Sequence, residues 1–265
     1  MIKAMPSFNI SFAGAGRVAG ALSRKMHQSG SRIMQIVSRD EKNGRILAGS
    51  CEATWSDELT FPASSEIIIV AVPDHSLKHV LNKIKCGEDT IVAHTAGSLG
   101  LDIFPGHILR KGIFYPLQTF SKNREIDFSN LPFFIEASDG TVSEKLNNLA
   151  ESTGGIVHFA DSDHRKALHL AAVFICNFTN HMLAAGQDIA ERSGFGFDVF
   201  KSLINETIAK AIEEGPEKSQ TGPAVRNDLN IIEKHLDLLS FSPEYRNVYR
   251  EVTKSIQEFY KKSDK

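Results

Sequence analysis

Apolar and polar positions alternate along the first half of the chain in short blocks that switch between two periods. Phe8, Ile10, Phe12 and Ala13 form an apolar run, after which Val18, Leu22 and Met26 recur at helical spacing. The switch repeats. Residues 33–37 read as a strand and 41–48 as a helix, 51–54 as a short extended segment, 66–72 as a strand and 76–84 as a helix. Further strands follow at 90–93, 112–115, 132–137 and 155–159, with a helix at 142–152. The block 66–72 is almost continuously apolar, as a parallel strand covered on both faces requires. Such alternation predicts an α/β fold with a doubly wound, mostly parallel sheet.

The character changes near Asp161, beyond which every segment reads as helical. Residues 162–191 look like one long helix, broken by Gly194 and Gly196, and further helices are expected at 198–213, 226–239 and 243–261. The predicted division is a sheet domain over 1–160 and an all-α domain over 161–265. The charged end, Lys261 to Lys265, is expected to fray.

Composition narrows the classes. The chain has 265 residues and a formal charge of −2, which gives no reason to expect nucleic acid or a membrane surface as partner. No apolar run approaches the length of a spanning helix, and Pro6, Ser7 and Asn9 interrupt any apolar leader. Cys51, Cys86 and Cys176 are far apart and odd in number, which points to a reducing cytoplasm and to no metal site. Cys176 reads as a core residue.

The first turn carries the chemistry. Gly14-Ala15-Gly16-Arg17-Val18-Ala19-Gly20 lies between a strand and a helix, the context of a dinucleotide-binding fingerprint of the Rossmann type. Gly14 allows the tight turn, Gly16 leaves room for a pyrophosphate, and Ala19 lets the helix pack closely. The helix N-terminus then offers unpaired N–H groups to the phosphates. An acidic residue that would hold the ribose hydroxyl of NAD is missing from the end of the second strand, where Ser38-Arg39 stands instead. A hydroxyl and a guanidinium suit a 2′-phosphate, so NADP is the expected cofactor. Asp40 is placed as N-cap of the next helix.

Ligands of open parallel sheets bind beyond the carboxyl ends of the strands. Val72-Pro73, His94-Thr95-Ala96 with Ser98, and the stretch from Tyr115 to Phe120 with Gln118 all fall there. Val72, Pro73, His94, Thr95 and Ala96 are therefore assigned to the cofactor. On the long helix, Lys166, His169, Val173, Cys176, Asn177 and Asn180 fall on one stripe about 100° wide. The remaining circumference is apolar, so the helix is expected to be buried with its polar stripe facing a wet cavity or a network of its own. His169 is the first candidate for a proton donor and Lys166 the second, with Asn177 orienting a carbonyl. Arg226 is a weaker candidate for clamping an anion, and Asp228 is read as lying inside the first turn of the next helix.

Jointly, the chain resembles the Rossmann-like proteins whose C-terminal half is the domain of unknown function 2520. These are distant relatives of pyrroline-5-carboxylate reductase, the coenzyme F420-dependent NADP oxidoreductases and the 6-phosphogluconate dehydrogenase group. The marks are the Gly14–Ala19 turn, Val72-Pro73-Asp74, the segment from His94 to Ser98, the stretch from Tyr115 to Phe120, the run from His169 to Asn177, and Thr221-Gly222-Pro223 with Arg226 and Asp228. The resemblance implies an NADP-binding Rossmann domain and a helical dimerisation domain, hence a homodimer. It does not carry over a lysine and asparagine spaced four apart, because Leu170 stands four after Lys166. The expected activity is hydride transfer between NADP and a small polar carbonyl or imine in a cleft between the domains. The alternative is a non-catalytic NADP-binding sensor or scaffold.

Overall fold

The computed structural model describes residues 7–121 and 124–263. Eight strands form one sheet: β1 (Asn9–Ala13), β2 (Arg32–Val37), β3 (Thr54–Ser56), β4 (Ile67–Val70), β5 (Ile91–His94), β6 (Lys111–Pro116), β7 (Pro132–Ala137) and β8 (Ile156–Phe159). Their order is β3-β2-β1-β4-β5-β6-β7-β8, and every neighbouring pair is parallel except β6 and β7. The connection from β6 to β7 holds no crossover helix among the described residues, so the chain turns back antiparallel.

Helices α1 (Arg17–Gln28), α2 (Glu41–Ser50), α3 (Asp74–Lys83) and α4 (Gly140–Ser152) cover the sheet. The period of two shows plainly in β4. Ile67 and Ile69 enter one core with Leu22, Met26 and Leu146, whereas Ile68 and Val70 enter another with Leu77 and Leu81. This is the doubly wound arrangement expected from the apolar run.

The rest of the chain is helical: α5 (Ser162–Ala172), a π-helical segment (Val173–Phe178), α6 (Thr179–Arg192), α7 (Lys201–Glu214), the short α8 (Pro216–Ser219), α9 (Leu229–Leu238) and α10 (Pro243–Ser263). The chain divides into compact units Met1–Asn177 and Phe178–Lys265. The first runs past residue 160 because Arg165 of α5 is tied to the sheet. Its guanidinium is fully enclosed, pairs with Glu136 of β7, and donates to the carbonyls of Ala160 and Leu99, the latter at 3.0 Å.

Several expectations are corrected. The third strand is Thr54–Ser56, not 51–54, because Cys51 ends α2 and Glu52 takes a left-handed φ of 54°. Helix α9 starts at Leu229, not 226. Asn227 has φ 53° and the Asp228 carboxylate accepts from the Ile231 N–H at 3.3 Å, so Asp228 is its N-cap rather than part of its first turn. Helix α10 stays helical through Ser263; Asp264 and Lys265, like Pro6, lie outside the described residues.

The long helix differs most. It runs without a break from Ser162 to Arg192, but it is not buried: Leu170, Phe174, Ile175 and Phe178 are all exposed. Cys176 is half-buried rather than core. By length and composition alone this helix could cross a membrane, so the sequence does contain one such segment. Its π-helical stretch also displaces the stripe, since an i→i+5 helix turns through less than 100° per residue.

Candidate functional site

The glycine turn is built for close approach. Gly14 has φ 118°, donates its N–H to Val37 at 2.7 Å, and would drive a Cβ to 2.2 Å from the Ala71 carbonyl oxygen. Gly16 has ordinary φ, but nothing lies within 4 Å of where its Cβ would be. It is the N-cap of α1, so no side chain satisfies the first N–H groups, and the first turn holds no acid to compete with an anion. Ala15, Arg17 and Val18 remain accessible around this opening, and Ala19 is fully buried against the sheet. A pyrophosphate fits this cradle.

At the end of β2, Ser38, Arg39 and Asp40 line the same groove as Gly14, Gly16, Val72 and Pro73. The Asp40 carboxylate accepts the Asn43 N–H at 3.0 Å as N-cap of α2, as expected. The Ser38 hydroxyl donates to the Asp40 carbonyl at 2.8 Å and accepts from the Trp55 indole at 3.2 Å. Arg39 is exposed in this groove, as is Arg17. Gly44 is required for this packing, since a Cβ would meet Ser38 Oγ at 2.2 Å and Trp55 Nε1 at 2.3 Å.

His94 is a correction. It ends β5 with no exposed surface, stacked on Phe104 at 5.3 Å, and its Nδ1 accepts the Ala96 N–H at 3.2 Å. Burial lowers its pKa to about 4, only partly offset by the Gly100 carbonyl, so the ring is neutral. It shapes the loop instead of presenting its ring to a cofactor. Thr95 and Ala96 follow it and do not line the groove.

A second cluster gathers at the carboxyl ends of β4, β5 and β6. The Ser98 hydroxyl donates to Asp74 Oδ2 at 2.7 Å. The Tyr115 hydroxyl meets His169 Nδ1 at 3.3 Å, with the two rings edge to face. Gly97 lies directly against the Tyr115 ring, where a Cβ would stand 2.7 Å from its Cζ. Burial, and secondarily the Asp74 carboxylate, push the Tyr115 phenol above its ordinary range. The sequence places Asp74, Gly97 and Tyr115 in the three segments beyond the strand ends without assigning any of them a role, and the fold adds the contact of Tyr115 with His169.

The other candidates stand apart. Lys166 is exposed and pairs with Asp163 at 3.0 Å. Asn177 is exposed in the π-helical segment, and no hydrogen bond joins it to His169 among the described residues. Gln118 turns its carbonyl oxygen back to the Thr119 N–H at 2.8 Å. Arg226 is exposed. No group of three or more His, Cys, Asp or Glu suited to a metal occurs among the described residues.

Residues 9–97 match the family model of the coenzyme F420-dependent NADP oxidoreductases, and residues 131–256 match the domain of unknown function 2520. A solved structure from Bacteroides fragilis, assigned provisionally as an NADP oxidoreductase, is 40% identical over 95% of this chain and 98% of its own, with a TM-score of 0.87. An imine reductase from Myxococcus stipitatus in complex with NADP+ shares the fold at 16% identity, 96% and 93% coverage and a TM-score of 0.63. A pyrroline-5-carboxylate reductase from Coxiella burnetii does so at 15%, 97% and 98%, and 0.59. Among curated proteins, none matches this sequence.

Proposed function

The chain belongs to the Rossmann-type NADP oxidoreductases that carry a C-terminal domain of unknown function 2520, and on that premise we propose that it transfers a hydride between NADP and a small polar carbonyl or imine. One observation carries the reading. A phosphate cradle at Gly14–Gly16 and a proton-bearing pair, Tyr115 and His169, both lie at the carboxyl edge of the same sheet. Ligands of this architecture bind along that edge. An exposed His169 with a hydroxyl partner suits a catalyst better than a purely binding module, in which nothing at that edge need exchange protons.

When bound, the cofactor supplies the hydride chemistry. The chain's own contributions are separate. The uncapped N-terminus of α1 holds the pyrophosphate, and Gly16 admits it. Arg39 faces the 2′-phosphate. His169 holds a proton at Nδ1 or Nε2 for the substrate heteroatom. Two further readings are proposed with it. The molecule works as a homodimer, which the uncovered apolar helices favour, and it resides in the cytoplasm, in keeping with its free cysteines.

Thermal unfolding with NADPH, NADP+, NADH and NAD+ tests the cofactor. Each phosphorylated form at 100 times its Kd should stabilise the protein by about 2.7 kcal/mol. At the same concentration the unphosphorylated forms should give much less, and Arg39→Ala should abolish the difference. Equal protection by all four would overturn the NADP assignment.

A further inference from the structure

We propose that Tyr115 is the residue that protonates the substrate, and that His169 reloads it from solvent. This deepens the oxidoreductase reading and rests on it. The two side chains come from elements far apart in sequence, β6 and α5, yet they meet at 3.3 Å. The phenol is held from two sides. Gly97 lies against its ring, and no residue with a Cβ would leave the ring where it is. His169 meets its hydroxyl. Tyr115 is half-buried, whereas His169 is exposed, so the pair runs from a sheltered hydroxyl to an open imidazole. That order is what a proton path to water requires.

The charges around the pair fit the assignment. Burial, and secondarily the Asp74 carboxylate that Ser98 holds, oppose ionisation of the phenol, so the hydroxyl keeps its proton until a substrate needs it. On α5, Lys166 pairs with Asp163 at the exposed surface, and Arg165 is engaged by Glu136.

In the reducing direction the substrate carbon of a C=O or C=N gains hydride from a reduced nicotinamide. The π pair moves to the heteroatom, and the Tyr115 O–H bond breaks as the heteroatom–H bond forms. His169 then takes up a solvent proton at Nδ1, passes it to the phenolate and returns to its Nε2–H form. Charge and protons balance with one hydride and one proton consumed per alcohol or amine formed.

Two experiments separate this pair from the wider reading. In the cofactor-free protein, 15N spectra of the histidine rings should show His169 mainly as the Nε2–H tautomer, with Nδ1 accepting from Tyr115. Tyr115→Phe, which keeps the ring and the fold, should remove that preference; identical spectra would overturn the pair. With NADPH and a cyclic imine as probe, Tyr115→Phe should lower kcat roughly 100-fold or more while NADPH still protects against unfolding. His169→Ala should also lower kcat, and added imidazole should restore much of the loss. A Tyr115→Phe variant with normal kcat, or a His169→Ala variant blind to imidazole, would sink the proton path. Absence of turnover in the unaltered protein across imine and carbonyl probes would instead overturn the oxidoreductase reading itself.

Discussion

Burial holds the His94 ring neutral down to about pH 4, whereas the same ring in an unfolded chain takes up a proton near 6.5. Between those values the unfolded state binds more protons than the folded one, so stability must fall as the pH drops from about 6.5 towards 4. The size of the effect is about 3 kcal/mol, a large share of the margin of an ordinary domain. His94→Asn keeps an acceptor for the Ala96 N–H but cannot charge. Its urea-unfolding free energy should be lower than that of the parent at pH 7, yet flatter between pH 6.5 and 4. Parallel curves for the two proteins would show that His94 does not titrate as its burial requires. The residue illustrates what the sequence left open. A histidine at a strand's carboxyl end reads as a ligand-facing group, and only the stacking on Phe104 reveals that the ring points inward. The Gly14 turn was legible because its demands are local: a positive φ and a missing Cβ.

At the level of elements, the strands were legible wherever burial on both faces forces a continuous apolar run, as in β4, and the cap at Asp40 was legible because its partner is three residues away. The long helix was not. Extrapolating 100° per residue through Val173–Phe178 assumes α-helical turns, and the π-helical segment breaks that assumption, so the stripe that put His169 and Asn177 on one face does not carry through it unchanged. The partner His169 does have, Tyr115, lies 54 residues away and leaves no periodic trace. What fixes α5 against the sheet is Arg165, whose enclosed guanidinium serves Glu136 and the carbonyls of Ala160 and Leu99. Its Nε finds no partner, so the site gains its strength from the terminal nitrogens alone. Arg165→Ala would leave Glu136 and two carbonyls without their donor and should cost on the order of 3–5 kcal/mol in urea unfolding of the full chain. It should also loosen the His169–Tyr115 contact, visible as a changed His169 ring spectrum. A loss under 1 kcal/mol would mean that α5 is held elsewhere.

For the whole molecule the outstanding fact is how much apolar surface the single chain leaves uncovered. Ile175 in the first unit is 75% exposed and Ile212 in the second 78%, and Leu238 is scarcely less open. Monomeric proteins rarely expose contiguous apolar surface on a large scale, so surface of this kind calls for an occupant. Two are compatible with the long helix by composition, a bilayer and protein. A bilayer is disfavoured by the polar positions along that helix, His169, Asn177, Asn180 and His181, which have no water to satisfy them in hydrocarbon. A net charge of −2 sets little repulsion against self-association with a second copy. Sedimentation should therefore give a species of twice the 29.2 kDa chain mass, with a Tm that rises with protein concentration. Ile175→Glu combined with Ile212→Glu places a charge in each uncovered face and should shift the protein to monomer. A monomer at every concentration for the unaltered chain would overturn the dimer. Flotation of the unaltered chain with phospholipid vesicles, lost in the double variant, would assign the same surface to lipid instead.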